Sequence, residues 1–66
     1  VKMAATLRED PDGRVKISVR AVPGYDASAV CARFGGGGHK GAAGASLRLP
    51  LEEAAQAVAA AMEELV

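Results

Sequence analysis

One cysteine, Cys31, and no tryptophan stand in a chain of 66 residues. A lone thiol excludes an internal disulfide framework and a cysteine cluster for zinc, and it makes a reducing, cytoplasmic setting the expectation. Aromatic side chains are as scarce: Tyr25 and Phe34 are the only two, so the core has to be thin and closely packed. Modules that bind single-stranded RNA usually rely on aromatic platforms, where stacking contributes about 1–3 kcal/mol per base. Both rings here read as structural, which disfavours sequence-tolerant strand binding. No apolar run approaches the roughly 20 residues that cross a bilayer, and the start of the chain lacks the charged, apolar and small-residue order of a signal peptide. No membrane partner is expected. The first residue is Val1 rather than Met, which makes a fragment or a processed chain the expectation. At this length the chain forms one small domain, marginal unless it packs on something larger, and too short for a catalytic domain of ordinary size.

Net charge is zero, but the charges are unevenly placed. Residues 1–48 carry all eight Lys and Arg with four of the acids, and residues 49–66 carry the other four acids and no base. This division fits an anionic ligand on one side of the fold, and it fits equally a solvated surface beside an acidic helix.

In "KMAATLR", residues 2–8, Met3, Ala5 and Leu7 alternate with Lys2, Ala4, Thr6 and Arg8, the period of two of a half-buried strand. "EDPDG" then supplies a tight reversal, and "RVKISVRA", residues 14–21, alternates again. Val15, Ile17, Val19 and Ala21 form its apolar face, so Arg14, Lys16, Ser18 and Arg20 line the other. That basic stripe carries a hydroxyl. It is either solvated or part of a ligand site, and a site needs further donors that converge on it.

Pro23 and Gly24 end the strand, and Asp26 can cap a helix over Ala27 to Phe34, with Tyr25 and Val30 at the positions of a hydrophobic staple. Ala27, Val30, Cys31 and Phe34 recur at helical spacing, so Cys31 reads as a small core residue rather than a nucleophile. Gly35 is a natural left-handed stop. Further on, "GASLRL" reads as a third strand and Pro50 opens a last helix. In that helix Leu51, Ala54, Ala55, Val58, Met62, Leu65 and Val66 face the core. Glu52 and Glu53 suit its positive start; Glu63 and Glu64 do not suit its end. The element order gives an α+β (mixed α/β) domain: hairpin, helix, glycine-rich loop, strand and helix, with the helices packed on a short sheet.

Between the first helix and the third strand lies "FGGGGHKGAAG", residues 34–44, with six glycines around the only histidine, His39, and Lys40. Ordering so much glycine makes sense where backbone must turn through positive φ or let another group come close. Phosphate is such a group. Exposed amides form an anion-binding concavity, Lys40 adds a point charge, and His39 can donate to a phosphate or ribose oxygen. The run is not a P-loop: it follows a helix C-terminus, whose dipole repels anions, and it lacks the Gly-Lys-Ser/Thr ending. The plainer alternative has His39 and Lys40 capping the carbonyls of the preceding helix. Neither nucleophilic catalysis nor metal binding is implied, because His39 has no Asp/His cluster at ligand spacing.

"GGGGHKGAAG" resembles the signature of the DHH-associated C-terminal domain of DHH-family phosphoesterases, and "ISVRA" resembles the "SxR" strand that precedes it there. The order of elements matches over nearly the whole chain. Within that family the chain looks most like the group of bifunctional oligoribonucleases and 3′-phosphoadenosine 5′-phosphate (pAp) phosphatases, which includes cyclic-dinucleotide phosphodiesterases. The resemblance implies that residues 1–66 are a substrate-binding domain whose catalytic DHH domain lies outside this sequence. It implies that Ser18, Arg20, the amides of Gly36, Gly37 and Gly38, and His39 hold the phosphate and nucleotide moieties of short RNA or nucleotide phosphates. Lys40 matches the motif, while Gly41 stands where Asn is common.

No catalytic residue, metal ligand or cofactor is expected in this chain, which has no Asp-His-His triplet. By resemblance, Mn2+ ions are carried by the N-terminal DHH domain of the same protein, and a homodimer of the full-length protein is compatible with that family. The chain alone would be a binding module and its parent a hydrolase. Three other readings stay open: the C-terminal domain of a RecJ-like single-strand exonuclease, that of an alanyl-tRNA synthetase-like protein, and a non-catalytic RNA-binding module. The synthetase domain usually lacks the His-Lys-x-Ala-Ala-Gly continuation.

Overall fold

Alternation of apolar and polar side chains builds the first hairpin. A computed structural model describes residues 2–66, and in it β1 (Met3–Glu9) pairs antiparallel with β2 (Val15–Ala21), from Met3 opposite Ala21 to Glu9 opposite Val15. The reversal is closed by the Asp10 amide donating to the Arg14 carbonyl at 2.7 Å and the Gly13 amide donating to the Asp10 carbonyl at 3.0 Å, with Pro11 presetting the turn angle. Val15, Ile17 and Val19 are buried on one face, and Lys16, Ser18 and Arg20 are exposed on the other. Arg14, expected on the basic stripe, lies in the turn instead. Its amide bonds to Asp12 at 3.1 Å and its guanidinium pairs with the same carboxylate at 3.8 Å.

Asp26 caps α1 (Ala27–Ala32), accepting from the amides of Ser28 at 2.9 Å and Ala29 at 3.3 Å and from the Ser28 hydroxyl. The helix stops two residues before the expected Phe34. Its last amides turn to carbonyls three residues back, Arg33 to Val30 and Phe34 to Cys31, which tightens the final turn. Gly35 then adopts a left-handed φ of +81°, and the Gly36 amide donates to the Cys31 carbonyl at 2.9 Å.

The glycine run is a strand where the sequence reads as a loop. Gly37–Gly38 form β3, paired antiparallel with β4 (Ala42–Leu47) through Gly37 opposite Gly44 and Gly38 opposite Ala43. His39 and Ala42 exchange both backbone bonds, at 2.8 and 3.2 Å, so Lys40 and Gly41 are the two-residue tip of a second hairpin. β4 starts two residues earlier than the expected 44–49, because pairing to the glycines recruits Ala42 and Ala43, which have little strand preference of their own. The sheet order is β1-β2-β4-β3, antiparallel throughout.

Both helices pack on the face that carries Val15, Ile17 and Val19, α1 against β2, β3 and β4 and α2 (Leu51–Glu64) against β1. Pro50 occupies the cap position of α2, and its carbonyl accepts from Ala54 at 2.9 Å. The buried side of α2 is Ala54, Val58 and Ala61, with Met62 and Leu65 partly covered; Leu51, Ala55 and Val66, expected inside, are exposed. In an alanine-rich helix the apolar stripe is too weakly marked to set the rotation, which packing against β1 decides. Glu64, unsuited to a helix end, pairs with Arg33 at the end of α1. Among the described residues no helix is long and apolar enough to cross a membrane.

Cys31 is wholly buried and burial pushes its thiol up from the ordinary range, so it packs and does not attack. Asp26 is the opposite case. The Ser28 hydroxyl above all, then the Ala29 and Ser28 amides and the charge of Lys40, hold its carboxyl below the usual carboxylate range despite some desolvation. Because its folded pKa is depressed, this group stabilises the fold fully above the unfolded carboxylate value and ceases to do so as pH falls through the folded value. The gap in melting temperature between the parent and Asp26→Ala is therefore expected to be constant near neutrality and to narrow below about pH 4. A gap independent of pH down to acid unfolding would contradict it.

Candidate functional site

The register sets the uncovered face of the sheet as three cross-strand rows. Ala4, Arg20 and Ala42 lie side by side, with His39 beyond Ala42. Thr6, Ser18, Gly44 and Gly37 form the next row, and Arg8, Lys16 and Ser46 the third. Ser18, Arg20 and His39, far apart in the chain, thus share one solvent-exposed surface. Arg20 and His39 are two strands apart, roughly 10 Å between backbones, with only the Ala42 methyl in the gap. A shallow depression of about 350 Å³ lies there, lined by Ser18, Val19, Arg20, Gly37, Gly38, Ala42, Ala43 and Gly44.

The floor of this depression is backbone and methyl groups, which lets a planar guanidinium and an imidazole reach a ligand from opposite walls. Every residue in the three rows is basic, hydroxyl-bearing, alanine, glycine or His39; none is acidic. Glu52, Glu53, Glu63 and Glu64 belong to α2, in the layer behind the sheet. The two-layer fold therefore turns the uneven charge of the sequence into a cationic face and an acidic back. Among the described residues the ion pairs are Arg8–Asp10, Arg14–Asp12 and Arg33–Glu64, and neither Arg20 nor Lys16 takes part in one.

The glycine amides do not act as one concavity. Gly36 spends its N–H on the Cys31 carbonyl, and Gly37 lies opposite Gly44 in the ladder. Since His39 and Ala42 exchange both bonds, alternation of an antiparallel ladder leaves the Gly38 amide directed off the open edge of the sheet. That donor is free for an anion. Lys40 is divided between two tasks: its carbonyl accepts from the Ala27 amide at 2.7 Å, tying the hairpin tip to the start of α1, and its ammonium charge is felt by Asp26. The alternative in which His39 and Lys40 cap the end of α1 does not describe this arrangement, because Arg33 to Gly36 close that end with their own amides.

Close approach explains two of the glycines. A Cβ on Gly36 would overlap the Gly44 carbonyl oxygen and lie 2.6 Å from the Ala45 Cβ, and one on Gly38 would lie 2.7 Å from the Ala43 Cα. Gly37 differs: a Cβ there meets nothing within 4 Å and would project over the Ser18 row. The contributions of Thr6, Ala42, Gly44 and Ser46 are not legible from motif matching; the register of β1 and of β4 against β2 sets them beside the Lys16, Ser18 and Arg20 stripe.

Residues 1–66 match the family model described as the DHHA1 domain. The chain belongs to that family of DHH-associated domains. Among solved structures, the crystal structure of an exopolyphosphatase-related protein from Bacteroides fragilis is similar to it, with a TM-score of 0.88 and 35% sequence identity, over 97% of this chain and 19% of that one. The chain thus spans about a fifth of the length of that relative. No curated protein matches it.

The manganese ions implied by the family resemblance do not fit here. Among the described residues no three His, Cys, Asp or Glu side chains stand together as a donor set, and His39 shares its face with Arg20, whose charge repels a cation.

Proposed function

We propose that this chain is the substrate-holding domain of a DHH phosphoesterase that acts on short oligoribonucleotides, pAp or cyclic-dinucleotide products, and that the Ser18, Arg20, Gly38 and His39 groups grip the substrate phosphate. One observation carries the reading: Arg20 and His39, nineteen positions apart, lie on a single acid-free face with only small residues between them. Arg20 offers a bidentate fork, Ser18 and the Gly38 amide offer single donors, and His39 reaches a phosphate or ribose oxygen. Lys40 contributes charge from the hairpin tip. Hydrolysis itself, with the manganese centre that the resemblance implies, is the work of an N-terminal DHH domain in the same protein.

Two experiments bear on this division of labour. The chain alone, supplied with manganese, is expected not to hydrolyse a dinucleotide or pAp; turnover that copurifies through a second column would overturn it. Amide chemical shifts on titration with a 5′-phosphorylated dinucleotide should move at Ser18, Arg20 and residues 37–39, with affinity on the order of millimolar because half of the cleft is missing. Shifts centred on α2 would contradict the site.

A further inference from the structure

We infer that the open edge of β1, with the uncovered flank of α2 above it, is a docking groove for one extended segment of the same polypeptide outside residues 1–66. This rests on the reading of the chain as one domain of a larger phosphoesterase. β1 is an end strand of the sheet and has seven residues, whereas the other end strand, β3, has two. The Val22 amide donates to the Lys2 carbonyl and the Asp10 amide to the Arg14 carbonyl. Antiparallel alternation between these points turns the even-numbered residues of β1 toward β2, and it leaves the N–H and C=O groups of Met3, Ala5, Leu7 and Glu9 directed off the edge. From Met3 to Leu7 that edge carries neither proline nor charge, the devices that blunt exposed edges.

The layer above is equally unfinished. Leu51, Ala55, Ala59, Met62 and Val66 recur every three or four residues along α2 and form one apolar stripe, in which Leu51 is 40% and Val66 59% exposed. Glu64, on the opposite side of the helix, pairs with Arg33 at the end of α1, which turns the stripe away from α1 and toward the open edge of β1. Between stripe and edge lies a mostly apolar groove of about 430 Å³, lined by Lys2, Met3, Ala59, Met62, Glu63 and Val66. Ala5 and Leu7 point to the same layer and are only partly buried. One added strand satisfies both surfaces: its backbone continues the ladder, and every second side chain, being apolar, covers Ala5, Leu7 and the stripe. Its other side chains lie beside the acid-free rows, where acidic or hydroxyl groups fit best.

A second copy of this chain does not fit the groove. Pairing β1 with its own copy sets the two strands about 4.8 Å apart. Because α2 packs on β1, the two α2 helices would then lie far closer than the separation of about 8–10 Å that packed helices keep. Contact through α2 alone opposes Glu52 and Glu63 to the same acids, with no Lys or Arg in residues 49–66 to offset them. A strand from elsewhere in the polypeptide meets neither conflict. The similar exopolyphosphatase-related chain, of which this one covers 19%, has about four-fifths of its length left to supply such a strand.

The test is made on the intact protein without nucleotide. Hydrogen exchange should show the Ala5 and Leu7 amides protected roughly 100-fold more than the Gly38 amide, which leaves the opposite edge of the sheet unpaired. Ala59→Glu should lower the melting temperature by about 5 °C, because it places a charge in the filled groove, while Ala60→Glu, exposed on the solvent side of α2, should leave it unchanged. A photoreactive benzoylphenylalanine introduced at Ala59, in a mixture of isotopically light and heavy protein, should crosslink within one polypeptide to a peptide outside residues 1–66. Crosslinks between light and heavy chains, or to another protein, would overturn the assignment of the occupant. Ala5 and Leu7 amides that exchange as fast as Gly38 would overturn the groove as a docking site, whatever the variants do. If that happens while nucleotide binding still depends on Arg20, the phosphate site stands and the docking inference alone is wrong.

Discussion

Arg20→Ala and His39→Ala in the intact protein are each expected to lower kcat/KM for a short oligonucleotide while leaving the melting temperature almost unchanged. Arg20 is exposed and takes part in no ion pair, so its loss removes no fold contact, and exposed substitutions usually shift stability by less than about 0.5 kcal/mol. A hydrogen bond to a charged group contributes about 1.5–3 kcal/mol, which for Arg20 corresponds to a drop of roughly 10- to 100-fold. The loss at His39, which carries a single donor toward the ligand, should lie near the lower end. Arg33→Ala is the matched control: it removes the same charge from the helix layer, where Arg33 pairs with Glu64, and should leave turnover intact. If His39→Ala unfolds the domain and activity per folded molecule is retained, the histidine serves the hairpin and not the substrate.

The glycine run should separate into positions that serve the fold and one that serves the ligand. Gly36→Ala and Gly38→Ala force a Cβ into β4, and Gly38 also has a φ of +151° that a side chain rarely adopts. Overpacking of this kind costs about 1–3 kcal/mol, and in a domain of this size each kcal/mol lowers the melting temperature by roughly 4–8 °C. Both variants should therefore melt about 5–20 °C lower. Gly37→Ala has open space and no positive φ, so it should fold as well as the parent, or slightly better because the unfolded chain loses freedom. Its methyl group lies over the Ser18 row, and nucleotide affinity should fall while thermal stability holds. Loss of stability in Gly37→Ala, or undiminished affinity, would show that this glycine is not kept for the ligand.

Much of this architecture is legible in the residues themselves. Period-two alternation marked β1 and β2, "EDPDG" marked their turn, and Asp26 marked the start of α1, because each signal is local: a side chain faces one way, or a backbone angle is set by its own residue; the end of α1 falls at Ala32, short of the expected Phe34. The same logic placed Cys31 in the core and Ser18 and Arg20 on the polar face. The motif carried the DHH-associated family resemblance, and the match over residues 1–66 shows that membership.

What the sequence by itself determined is thus every element but β3, the family and the outward direction of Ser18 and Arg20. Tertiary structure decided the rest. Four consecutive glycines have no periodicity, so nothing local tells a loop from a strand; β3 forms because bare backbone at Gly36 and Gly38 can close on Ala45 and Ala43, where a Cβ at either position would collide. Only that pairing puts His39 on the face of Arg20, and only the pairing of β2 with β4 lays Gly44 and Ser46 beside Ser18 and Lys16. The rotation of α2 was equally undetermined, since a helix of alanines offers several nearly equivalent faces and the contact with β1 selects one. Charge follows the same rule: composition supplies eight bases and eight acids, and the two-layer packing separates them into a cationic face and an acidic back, a separation that exists only once long-range contacts fix which side each element covers.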